Sequence, residues 1–144
     1  MRIILAITLI LTFSSIALAE TKLIDTTKIP AKKAHDVADL LPIAVTNDGT
    51  PSVVILELKK GDVVPPHAAK SGLRLLTVLS GDMYWGDGDE VETGKERTYM
   101  SGSHLLVQPG DMHWLAARNN DVRIQMVLLH DQKLTPPVAK QIGE

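Results

Sequence analysis

The chain has 144 residues, with 15 Lys and Arg against 17 Asp and Glu, a formal net charge of −2 and no cysteine. That balance leaves no electrostatic footprint for nucleic acid or an anionic membrane surface. Without thiols, disulfide scaffolds and thiolate zinc are excluded, so stability must come from burial and backbone pairing, and any metal site from imidazole and carboxylate.

Residues 1–19 carry the three-part pattern of a cleavable secretory signal peptide. Arg2 supplies a positive start, Ile3 to Ile16 is an apolar run, and Ala17-Leu18-Ala19 is a small-residue cleavage box. The run is shorter than the roughly 18–20 residues that a membrane-spanning helix needs. No cysteine is present for lipid attachment. The expectation is an exported protein, periplasmic or secreted, with no membrane anchor after cleavage. What remains is about 125 residues, enough for one domain with a real core.

Residues 20–50 read as an N-terminal lead-in. Ala34, Val37, Ala38 and Leu41 stand at helical spacing and predict a short helix over 32–41, limited by Pro42. Lys22, Lys28, Lys32 and Lys33 make a solvated face. Asn47-Asp48-Gly49 is a turn signal.

From Pro51 the pattern is β. Strands are expected at Ser52–Leu58, Leu73–Leu79, Met83–Trp85, His104–Val107, His113–Ala117 and Val122–His130. Turn chemistry separates them, at Lys60-Gly61-Asp62, Ser80-Gly81-Asp82, Pro109-Gly110-Asp111 and Asn119-Asn120-Asp121. Gly86 to Met100 reads as a solvated loop; Asp87-Gly88-Asp89 lacks the spacing of a calcium loop. There is no alternating helix and no internal repeat, so one all-β sandwich or barrel is expected over 51–132, followed by a C-terminal tail at 133–144.

Two segments carry a family resemblance. Gly61, five residues, His67, then Ala69, Arg74 and Gly81 follow the spacing of a Gly-x5-His-x-His-x4-Glu-x6-Gly motif. Gly102, five residues, Gln108, Gly110, His113 and Ala117 follow that of Gly-x5-Pro-x-Gly-x2-His-x3-Asn. In these frames the chain resembles the cupin superfamily, in particular its small exported single-domain members. The resemblance covers roughly Pro51 to His130 and implies a jelly-roll-like β-barrel.

The resemblance also implies a metal shell of three histidines and one glutamate. Carried over residue by residue, only His67 and His113 remain, because Ala69 and Arg74 stand at the other His and Glu positions. A guanidinium about 4 Å from a divalent ion costs roughly 8 kcal/mol at an effective dielectric near 20. The cofactor expectation is therefore either none or a weakly held divalent transition metal. Without a full shell, the barrel mouth offers Arg74, His67 and His113 as a clamp for a small, anionic ligand, with Trp114 beside His113 and His130 as further ligand-binding candidates. Strand alternation puts His130 on the face of Val122, Ile124 and Met126. The plainer readings stand beside these: Trp85 and Trp114 as core, Arg74 paired with Glu57 or Asp82, His104 satisfied at a barrel end, and His35 on the surface.

Three functions are consistent with these residues, and they leave enzyme or non-enzyme open. The first is a metal-poor barrel binding a small anion. The second is a metal-dependent oxygenase or isomerase using His67, His113 and a recruited His130. The third is a structural or partner-binding barrel, with sheet edges as candidates for homodimer pairing. No Gly-x-Ser-x-Gly elbow, phosphate loop or dinucleotide fingerprint occurs in the chain.

Overall fold

Apolar runs of β-branched residues, each closed by a glycine or Asx turn, become strands in the computed structural model, which describes residues 20–131 and Lys140. In chain order they are β1 (Lys32–Ala34), β2 (Ala38–Val45), β3 (Pro51–Leu58), β4 (Val63–His67), β5 (Leu73–Ser80), β6 (Met83–Asp87), β7 (Arg97–Tyr99), β8 (His104–Val107), β9 (His113–Ala116) and β10 (Val122–Leu129). They form a six-stranded sheet, β1-β2-β3-β10-β5-β8, and a four-stranded sheet, β4-β9-β6-β7, antiparallel throughout. The signal-peptide segment at 1–19 and the tail from 132 onward, apart from Lys140, lie outside the described residues.

Register decides which side chains meet. On β10, Ile124 lies opposite Leu56 of β3 and Val78 of β5. Period-two alternation then turns Val122 and Ile124 inward with Leu56, Leu58, Leu76 and Val78. The four-stranded sheet answers with Val64, Met83, Trp85 and Leu115, and the two sets close one core. At the β5–β6 turn, Gly81 has φ +79, and a Cβ there would sit 2.2 Å from the carbonyl oxygen of Asp121. Only glycine suits that corner.

The first part of the domain departs from expectation. The helix predicted over 32–41 is a β-hairpin, and the 20–50 segment supplies β1 and β2 to the six-stranded sheet. The hairpin turns through His35 and Asp36, with φ 53 and 60, and the Val37 N–H donates to the Ala34 carbonyl. Asp and His are among the few non-glycine types that adopt such φ values readily. The helical spacing was a coincidence of local pattern. Pairing with β3, through Leu40↔Leu56 and Leu41↔Ile55, buries both faces of β2 and outweighs helix propensity. The expected loop at 86–100 likewise contains the short strand β7, paired with β6.

Candidate functional site

His67 ends β4 and His113 begins β9, and the two are cross-strand partners. Their ring centroids lie 4.4 Å apart at a 59° tilt. Each ring is anchored by its own strand. His67 Nδ1 is 2.9 Å from the Pro65 carbonyl oxygen, and His113 Nδ1 is 2.8 Å from that of Asp111. A carbonyl only accepts, so each Nδ1 carries the proton and donates it. The remaining nitrogen, Nε2, is then a lone-pair acceptor in the neutral ring. Burial is the main force keeping the rings neutral. It pushes His67 down to about 4, against a partial opposing effect of the Pro65 hydrogen bond, with His113, His35 and Arg74 adding to the downward shift. Burial lowers His113 as well, helped by the charge of Arg74.

Arg74 comes from the opposite sheet. On β5 it pairs with Val107 of β8 and Leu128 of β10, and it shares the inward parity of Leu76 and Val78. Its guanidinium projects into the barrel, where burial lowers its pKa below the ordinary value. Nη1 is buried and has no hydrogen-bond partner among the described residues. The carboxylates that could have paired with it are engaged elsewhere. Glu57 Oε1 lies 3.0 Å from Arg123 Nε, and Asp82 accepts from Asn120 Nδ2 at 3.2 Å.

Between the sheets lies a cavity of about 140 Å³. Arg74, His67 and His113 line it, with His35 and Trp85 and an apolar wall that includes Leu40, Leu56, Leu76 and Met126. Among the described residues no carboxylate lines it. Trp85 stacks on His113, with centroids 4.3 Å apart and planes 11° apart, and its Nε1 donates to Asp87 Oδ1 at 2.8 Å. A wider cleft of about 370 Å³ lies beyond, sharing the wall of Trp85, Val107 and His113 and bounded by Asp87, Arg97 and Asp111.

The structure thus brings together three of the five ligand-binding candidates. Trp114 is not among them. Alternation sends it to the face opposite His113, where it lies over Gly86 and its Nε1 donates to Glu96 Oε1 at 3.1 Å. Arg118 clamps the same carboxylate and lowers the Glu96 pKa through its hydrogen bond. His130 is also absent. β10 ends at Leu129, and His130 is exposed one residue later, with Nε2 3.0 Å from the Pro51 carbonyl oxygen. His104 is exposed and hydrogen-bonded to Thr77 Oγ1 at 3.0 Å. His35, expected on the surface, is exposed, and it also borders the cavity rim with its ring centroid 4.2 Å from that of His67. No local signal pointed to it, because the hairpin that carries it there depends on β3.

The donor set can be tested against a metal ion. His35, His67 and His113 pack ring against ring, and among the described residues no three His, Asp or Glu groups are placed to hold an ion. The Arg74 guanidinium lines the same cavity as the two central imidazoles, and its charge disfavours their protonation. The residues present do not fit the three-His, one-carboxylate shell.

No protein-family model matches the chain, and no curated protein matches it in sequence. Solved structures do match. A predicted oxalate decarboxylase from Thermotoga maritima superposes with a TM-score of 0.60 at 13% identity, over 76% of this chain and 100% of that one. KdgF from Halomonas sp. gives 0.59 at 15%, over 78% and 97%. An RmlC-like cupin from Shewanella frigidimarina gives 0.57 at 10%, over 79% and 95%. Two antiparallel sheets closed around a central cavity, in the company of these structures, give this chain the cupin fold.

Proposed function

We propose that the protein binds a small anion in its barrel cavity, with Arg74 as the counter-charge and without a full metal shell. One observation carries this reading: among the described residues, a buried guanidinium nitrogen has no partner and no carboxylate lines its cavity. A buried donor left unpaired is costly, and an anion between the forked donors of the guanidinium offsets that cost. His67 and His113, held neutral, border the same space and add no competing charge. The solved structures of this fold include proteins named as enzymes, yet one barrel hosts many chemistries, so the reading rests on the site.

The metal-dependent alternative needs a third donor beside His67 and His113, whereas His130 is exposed, bonded to the Pro51 carbonyl and outside the cavity lining. We also propose that residues 1–19 direct export to the periplasm or outside, on the strength of Arg2, the apolar run and the Ala17-Leu18-Ala19 box. Pairing of two copies would use β8, an edge strand free of the prolines that interrupt β4.

The test is a titration at low ionic strength with acetate and isovalerate, read by tryptophan fluorescence through Trp85. Saturable binding by the wild type and none by Arg74→Met is expected. A stoichiometric transition metal, found by elemental analysis in protein purified without chelator, would overturn the proposal.

A further inference from the structure

We infer that the anion is a compact α-hydroxy monocarboxylate with a short aliphatic tail. This rests on the anion-binding reading and adds the ligand's size, charge, polarity and donor pattern.

Size comes from the cavity. At about 140 Å³ it is close to the roughly 150 Å³ space that takes a benzene ring, so it holds about six to eight heavy atoms. Charge comes from the lining. Among the described residues Arg74 is the one permanently charged side chain there, which suits a monoanion. A second negative charge, or the many oxygens of a phosphate, would lie against Leu40, Leu56, Leu76 and Met126 without partners. The same wall asks for an aliphatic tail.

The hydroxyl follows from the imidazoles. Both Nδ1 protons are spent on backbone carbonyls. Both Nε2 atoms therefore present lone pairs, and no hydrogen bond to either is made among the described residues. A plain carboxylate has only acceptors. Bound to Arg74, it would turn lone pairs toward lone pairs. A hydroxyl on the adjacent carbon supplies a donor for one of the two Nε2 atoms, while the carboxylate keeps the guanidinium. Arg74 comes from the six-stranded sheet and the imidazoles from the four-stranded one, so a ligand between them meets both.

The experiment is isothermal titration calorimetry of the wild type with α-hydroxyisovalerate, isovalerate, glycolate, the matched neutral diol, and phosphate. α-Hydroxyisovalerate should bind about tenfold tighter than isovalerate, which lacks the hydroxyl, and about tenfold tighter than glycolate, which lacks the tail. Phosphate and the diol should be weaker still. Equal affinity for α-hydroxyisovalerate and isovalerate, or tighter binding of glycolate or phosphate, overturns this inference and leaves the anion reading standing. Binding of the diol as tightly as the acid, or of none of the anions, overturns both.

Discussion

Replacing Arg74 by Met should make the unliganded protein more stable. In the wild type, Nη1 is buried without a partner among the described residues, and such a donor costs about 1–3 kcal/mol. The guanidinium as a whole is only half-buried, so the low end of that range applies. Methionine retains much of the stem's length and packs against Leu76 and Met126 in the cavity wall. The net expectation is a gain of about 1–2 kcal/mol, or a rise in Tm of roughly 3–8 °C for a domain of this size. Ligand reverses the order. At a hundredfold excess over Kd, a bound anion adds about 2.7 kcal/mol to the wild type and nothing to a variant that cannot bind it. Differential scanning calorimetry of both proteins, with and without α-hydroxyisovalerate, reads all four states. If Arg74→Met without ligand melts at or below the wild-type temperature, the guanidinium has a partner in the unliganded protein, and the reasoning fails.

The other predictions concern the imidazoles, the donor set and the outer face of the smaller sheet. His67 has its folded pKa lowered from 6.5 to about 4, so the unfolded chain takes up its proton first; its contribution to stability is complete above 6.5 and is lost as pH falls toward 4. NMR should find its ring neutral at pH 5.5, and a ring that titrates near 6.5 would refute the burial argument. Arg74→Glu puts a carboxylate beside two neutral imidazoles, the composition of a two-His, one-carboxylate site, and should confer stoichiometric binding of a divalent transition metal in elemental analysis; unchanged metal content would mean that position 74 does not face His67 and His113. Gly86→Ala would place a Cβ 1.9 Å from Cζ2 of Trp114, so the indole must shift and its bond to Glu96 is lost. Urea denaturation should report a loss of about 3 kcal/mol or more. Glu96, its pKa lowered by Arg118, contributes stability that is present above its unfolded pKa and lost as pH falls through the folded one; Glu96→Gln should flatten the acid limb of the stability curve.

The glycine-punctuated frame from Gly61 to Gly81 and from Gly102 to His113 was legible because turn chemistry is local. A residue that must take positive φ, such as Gly81, announces itself in one dimension. The six expected strands from Ser52 to His130 were legible for the same reason: β-branched runs between turns carry their own period. The resemblance implied that His67 and His113 share one site, but their cross-strand pairing came from the structure, since β4 was not among the expected strands. Alternation along β9 would have removed Trp114 from the candidates, since it must face away from His113.

What the residues determined unaided is the all-β class and the corners of the barrel, and the resemblance added a cation where the related motif carries an anion. Those depend on neighbours within a few positions. Only the tertiary structure decided that 32–45 is a hairpin, that His35 reaches the cavity rim, that His130 does not, and that Glu57 belongs to Arg123 and so leaves Arg74 unpaired. Each of those depends on a partner far away in sequence, and the free energy of such pairings comes from surfaces that exist only after the chain has closed on itself.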